Sequence, residues 1–160
     1  IHPEFYATYL WNQHKKYDLL EALAGAQGLF GNLPDIRRKI KIEQDFRELW
    51  PHAEPPAVLP AVTNYIEHMR GIMSDPHKLM AHLYVHHMGD LSGGQMIAKK
   101  VPGTGTMYQF DCDVETVKDE IRKHTDDSMA DEARICFTFA TELFKNLMEL
   151  DCERYLEQSD

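Results

Sequence analysis

Asp90 is set apart from the other carboxylates of this chain by its neighbours. It stands among Gly89, Gly93 and Gly94 in the run Tyr84-Val-His-His-Met-Gly-Asp-Leu-Ser-Gly-Gly-Gln95, which otherwise reads as helix. Glycine costs about 1 kcal/mol against alanine in a helix interior, so three glycines so close together need a physical reason. One reason is close approach: a helix stripped of side chains lets something large and flat reach its backbone, and Asp90 can aim a carboxylate at it. A helix kink or a tight helix crossing is the other reading of the same spacing.

Further groups fall on the same or neighbouring helical stretches. His82 and His86 are four residues apart, a spacing compatible with a metal, but no carboxylate pair or third histidine in the pattern completes such a site. Lys118 and Arg122 share a helix face, where Glu115 or Glu120 could pair with them. Phe137 and Phe144 are two helical turns apart, a spacing equally suited to a core. Cys112, Cys136 and Cys152 are odd in number and widely spaced, which suggests neither a zinc site nor a disulfide framework and fits free thiols in a reducing cytoplasm.

The elements that must position these groups are helical. Tyr6, Tyr9, Leu10, Tyr17 and Leu20 recur at helical spacing and predict a helix over about 3–24, with Pro3 in its first turn and Gly25 at its end. Gly28 to Pro34 read as a loop. Ile36, Ile40, Glu43, Phe46 and Trp50 mark the next helix, stopped by Pro51, and a further helix follows from about 60 to 73. Ser74-Asp75-Pro76 opens the glycine-bearing helix, which runs towards Lys100 before Pro102-Gly-Thr-Gly105 ends it. Asp113 can cap a helix over about 114–125, and Ser128 with Asp131 forms a capping-box pattern before a last helix over about 129–156. No strand-like alternation and no repeat rise above this background. The fold class is all-α, as a single domain over 1–160.

Composition narrows the partners. With 160 residues, 43% of them apolar, the chain can bury a substantial core. A formal net charge of −9 argues against nucleic acid or an anionic membrane as partner. No apolar run approaches the ~20 residues of a membrane span, and the sequence closes on the polar Glu157-Gln-Ser-Asp160, so no membrane anchor is expected.

Gly89-Asp-Leu-Ser-Gly-Gly-Gln95, with Ala81-His82 and Tyr84 before it, closely resembles the signature of the heme oxygenases. Ile42-Glu-Gln-Asp-Phe46 resembles the Leu-Glu-Gln-Asp-Leu run of that family. Tyr108-Gln-Phe110 is similar to its aromatic pair, and Asp131-Glu-Ala133, Phe137 and Leu143-Phe144 fit its last core helix. The likeness runs from about Tyr6 to Leu150.

The resemblance implies oxidative cleavage of heme, both cofactor and substrate, to biliverdin (the IXα isomer), carbon monoxide and ferrous iron. Asp90 would anchor a water network on the distal side of the iron, with Tyr17 joining it. Gly89 and Gly93 would let the heme approach, Phe137 and Phe144 would line it, Lys118 and Arg122 would hold its propionates, and Tyr84 would contact a propionate or line the pocket. Electrons would come from ferredoxin or a reductase, and the Lys15-Lys16, Arg37-Arg38-Lys39 and Lys99-Lys100 clusters could form its docking patch.

The chain departs from the family in three places. The proximal iron ligand of the family is a histidine on its first helix, and this numbering begins at what resembles the second, so that histidine is expected upstream of Ile1. His86 stands where many relatives carry an arginine. The connection from Arg122 to Asp131 is shorter than in typical relatives. Two rival readings are a heme-binding or heme-delivering protein of the same fold without catalysis, and a di-metal oxidase, for which no convincing set of paired Glu and His ligands is seen.

Overall fold

Proline and aspartate set the helix starts. In the computed structural model, which describes residues 1–33 and 35–151, α1 spans Pro3–Ala26, α2 Lys39–Leu49, α3 Pro60–Gly71, α4 Pro76–Ala98, α5 Val114–Lys123 and α6 Ala130–Asp151. Pro3, Pro60 and Pro76 each lie in a first helical turn, where a missing N–H costs nothing. The Asp75 carboxylate accepts from the Lys78 amide at 3.0 Å and caps α4. Two short 3-10 turns, Thr106–Tyr108 and Asp127–Met129, complete the described elements, and no strand occurs among the described residues.

Three details differ from the sequence reading. Ile36 is buried but lies in the lead-in to α2, whose first amides are held from outside: the Glu21 carboxylate accepts from the Arg38 and Lys39 N–H groups at 2.7 and 3.0 Å. Ser128 does not cap α6. It sits inside a 3-10 turn whose cap is Asp126, accepting from the Ser128 amide at 2.9 Å. The expected extension of α6 past Asp151, with Cys152 and the polar terminus, lies outside the described residues.

α1 is the central post. It packs against α2, α3, α4 and α6, and its buried residues include Leu10, Asn12, Tyr17, Leu20 and Glu21. Asn12 shows how a polar residue is accommodated there: its amide donates to the Thr8 and Ala57 carbonyls and accepts from the Leu59 amide, tying the proline-rich link before α3 to the post. α4 and α6 run in the same direction, since Glu132 meets His82 and Cys136 meets His86 one turn further along both helices.

Asp45, from the Glu-Gln-Asp run of α2, accepts from the Thr106 and Met107 amides at 2.9 and 2.8 Å and so caps the 3-10 turn after α4. Gly105 enters that turn at φ +67°, in the left-handed region that favours glycine.

Candidate functional site

The three glycines of α4 divide by what faces them. A Cβ on Gly94 would lie 2.7 Å from Cδ1 of Tyr108, so this glycine lets the 3-10 turn press against the helix. Gln95 beside it donates to the Tyr108 carbonyl at 3.0 Å. A Cβ on Gly89 would meet nothing within 4 Å, and one on Gly93 only the tip of Ile97. Gly94 is therefore a packing residue, whereas Gly89 and Gly93 leave bare backbone towards open space.

Asp90 sits at the edge of that bare strip, 9% exposed. Its Oδ2 accepts a 2.6 Å hydrogen bond from the Tyr17 hydroxyl of α1. Burial is the main cause that raises the Asp90 carboxyl to about 6, and nearby His87 works against it. Burial and the Asp90 charge push the Tyr17 phenol well above its ordinary range, so Tyr17 keeps its proton and remains the donor. The Tyr17 ring is held between the imidazoles of His86 and His87, with centroids at 5.2 and 5.3 Å. His87 in turn meets Glu21 at 2.8 Å. Tyr17 and Glu21 are one turn apart on α1, as His87 and Asp90 are on α4, so two short helical faces build the cluster.

Several apolar side chains of α4 and α6 are uncovered. On α4, Met96 and Ile97 are exposed, and on α6 Phe137 is 59% and Phe144 56% exposed. Phe144 stacks on Tyr9 with ring centroids 5.7 Å apart. Tyr6, Tyr9, Ile97, Val101, Tyr108 and Phe144 line a cavity of about 200 Å³ at this end of the face.

The remaining sequence-derived residues lie apart from the Asp90 cluster. Lys118 and Arg122 share a face of α5 and pair within their own helix, Lys118 with Glu115 at 3.4 Å and Arg122 with Asp119 at 2.9 Å. Tyr84 is half-buried and lines a separate cavity of about 260 Å³ with Asp126 and Asp127.

Two of the basic clusters do not form patches. Lys16 and Arg38 are buried, the first beneath the Tyr65 ring, the second donating to the Met107 and Gln109 carbonyls, and Lys39 pairs with Asp18 at 2.8 Å. Lys99 and Lys100 are exposed. His14 is buried against Trp11, and His2 caps α1 by accepting from the Glu4 amide.

His82 and His86 do not share a ligand, despite their spacing. His86 meets the Tyr65 hydroxyl at 3.2 Å and the Cys136 thiol at 3.4 Å, while His82 meets Tyr65 at 2.7 Å and Glu132 at 2.8 Å. Glu132 is also 2.6 Å from His68 of α3. The sequence showed only the His82–His86 spacing of this network, because Tyr65 and His68 of α3 and Glu132 and Cys136 of α6 reach it from other helices. Cys112 and Cys136 are free thiols.

A family model described as heme oxygenase matches residues 2–146. Heme oxygenase 2 of Synechocystis sp. is 30% identical over 112 residues, 62% of this chain and 41% of that protein. Heme oxygenase 2 of Oryctolagus cuniculus is 36% identical over 87 residues, 48% of this chain and 27% of that protein. The chain thus spans less than half the length of these curated relatives. In fold it is similar to the crystal structure of heme oxygenase-2 from Synechocystis sp. in complex with heme and NO, with a TM-score of 0.81, 24% identity, and coverage of 99% of this chain and 78% of that one. The match of the family model across nearly the whole chain, on an all-helical fold of the same shape, shows that the chain belongs to the heme oxygenase family.

Proposed function

We propose that this chain cleaves heme to biliverdin, carbon monoxide and ferrous iron, and that the Gly89–Asp90–Gly93 strip of α4 is the distal wall of the heme pocket. The observation that carries the reading is the 2.6 Å Tyr17–Asp90 hydrogen bond beside two glycines whose Cβ positions face open space. A flat macrocycle fits that strip: bare backbone allows close approach, and Ile97, Phe137 and Phe144 supply uncovered apolar contacts.

Heme supplies the iron that activates dioxygen and the macrocycle that is cut, using three dioxygen molecules and seven electrons from ferredoxin or a reductase. The chain supplies position and protons. Tyr17, packed against two imidazoles, holds the Asp90 carboxylate in one orientation, so that its other oxygen would be free to position a water beside the bound heme. A carboxyl poised at about 6 can take and return a proton near neutral pH. Lys118, Arg122 and Tyr84 are the proposed propionate contacts and would select the meso carbon that faces oxygen, giving the IXα isomer. For Lys118 and Arg122 this requires the ammonium and guanidinium to exchange Glu115 and Asp119 for the propionates.

The test is a hemin titration followed by turnover under air with a reductant. Asp90→Ala should bind hemin within about threefold of the parent and form biliverdin at least about a hundredfold more slowly, the lower end of the usual range for a positioned proton-transfer group. An unchanged rate in the variant removes Asp90 from the mechanism. Saturable binding without biliverdin in the parent favours a heme-carrying role instead.

A further inference from the structure

We propose that His68, His82 and Glu132 form a binding site for one divalent transition-metal ion of the zinc and ferrous class, separate from the heme pocket and independent of the heme reading. Two imidazoles and one carboxylate from three helices converge here: His68 of α3, His82 of α4 and Glu132 in the first turn of α6, with ligand atoms all within 4.8 Å of one another. Glu132 Oε1 lies 2.6 Å from His68 Nε2 and 2.8 Å from His82 Nε2.

Two histidines and a carboxylate with an open further position are a recurrent donor set for zinc and non-heme ferrous ions. Ligands about 2.1 Å from a tetrahedral ion stand about 3.4 Å apart. Inserting an ion therefore requires the Glu132 carboxylate to withdraw by about half an ångström to an ångström, a rotamer adjustment rather than a helix movement.

The surroundings are those of a metal ligand rather than of a solvated ion pair. The Nδ1 of His82 is 2.7 Å from the Tyr65 hydroxyl, one turn before His68 on α3. The same hydroxyl lies 3.2 Å from His86 Nε2, so it can donate to one imidazole while accepting from the other. In this structure the His68 and His82 Nε2–H groups donate to the Glu132 carboxylate; an ion would take the place of those protons, and His82 Nδ1–H would then donate to the Tyr65 hydroxyl, as an outer partner does for a ligating histidine. Phe139 packs against both the His68 and Tyr65 rings and walls the cluster on one side. His82 is fully buried, whereas the His68 side chain is 25% exposed, so the cluster is reached from solvent on the His68 side.

The probe is Co2+, whose visible d–d absorption reports coordination geometry, titrated into the heme-free 160-residue chain at pH 7.5 and then displaced by Zn2+. The expected result is one ion per chain. His68→Ala should bind at least tenfold more weakly with unchanged far-ultraviolet circular dichroism, and the exposed His52→Ala should bind as the parent does. In the parent itself, bound Co2+ should shift the ring-proton resonances of both His68 and His82, a readout that needs no variant to fold. Unsaturable binding, affinity unaffected by His68→Ala, or paramagnetic shifts confined to other histidines overturn the proposal.

Discussion

The two halves of α4 are built on opposite terms. From Leu79 to Met88 the helix is enclosed on most sides, and His82, His86 and His87 are buried with partners from α1, α3 and α6. From Gly89 to Ile97 one face is bare: Gly89, Ser92, Met96 and Ile97 are exposed, while Asp90, Leu91 and Gly94 face neighbouring elements. One helix thus carries a rigid polar core at its start and an unfilled binding face at its end. The enclosed half fixes where the open half points, because Asp90 is oriented through Tyr17, and Tyr17 through the histidines of the enclosed half.

The strongest way to break that relation is to remove a partner of the enclosed half. Glu21 serves His87 and the two leading amides of α2, so Glu21→Ala leaves three buried or half-buried groups without an acceptor. A loss of about 3–5 kcal/mol in unfolding free energy by urea denaturation is expected, from unmet groups costing about 1–3 kcal/mol each. A loss below about 1 kcal/mol would mean that water replaces the carboxylate and the enclosed half is not rigid.

A charge test sharpens the same contrast. The unfolded carboxyl of Asp90 titrates near 3.8 and the folded one near 6. Between those values the folded chain keeps a proton that the unfolded chain has released. The contribution of this group to stability therefore falls as pH rises from about 4 to 6, and its cost is complete above that. Asp90→Asn should remove the cost: little effect near pH 4, and a gain of about 1–3 kcal/mol at pH 7.5. A pH-independent effect would place Asp90 in water rather than in a closed cluster.

The glycines give the smallest and cleanest contrast. Gly94→Ala drives a methyl into the Tyr108 ring and should cost about 1–3 kcal/mol. Gly89→Ala meets open space and should stabilise the heme-free chain by up to about 1 kcal/mol through helix propensity, while weakening hemin binding. Equal effects at both positions would erase the distinction between a packing glycine and a binding one.

Much of this architecture was legible in the sequence, for physical reasons. Five of the six helix starts lie within about a residue of the positions set by proline, aspartate and apolar spacing, because those signals act within one or two turns. The glycine run announced a special helix face, since glycine has a local cost that must be offset. Asp90 and Tyr17 were named from the resemblance, and in space they meet. What remained hidden was tertiary. Nothing local distinguishes Lys16 or Arg38 from the surface cations beside them, yet both are buried by neighbours far along the chain. His68 and Glu132 are 64 residues apart and carry no common period. The Ser128 pattern was misread because Asp126, two residues earlier, competes for the same amide.

The short segment after α4 has a consequence for chain length. Its carbonyls at Met107, Tyr108 and Gln109 are each held by a side chain, from Arg38, Gln95 and again Arg38, while Asp45 takes the amides of Thr106 and Met107. Surface connections ordinarily accept an extra residue at little cost. Here one added residue would move each of these backbone groups out of register with its clamp at once. The segment acts as a measured strut between α2 and α4, fixed in length by the side chains that hold it.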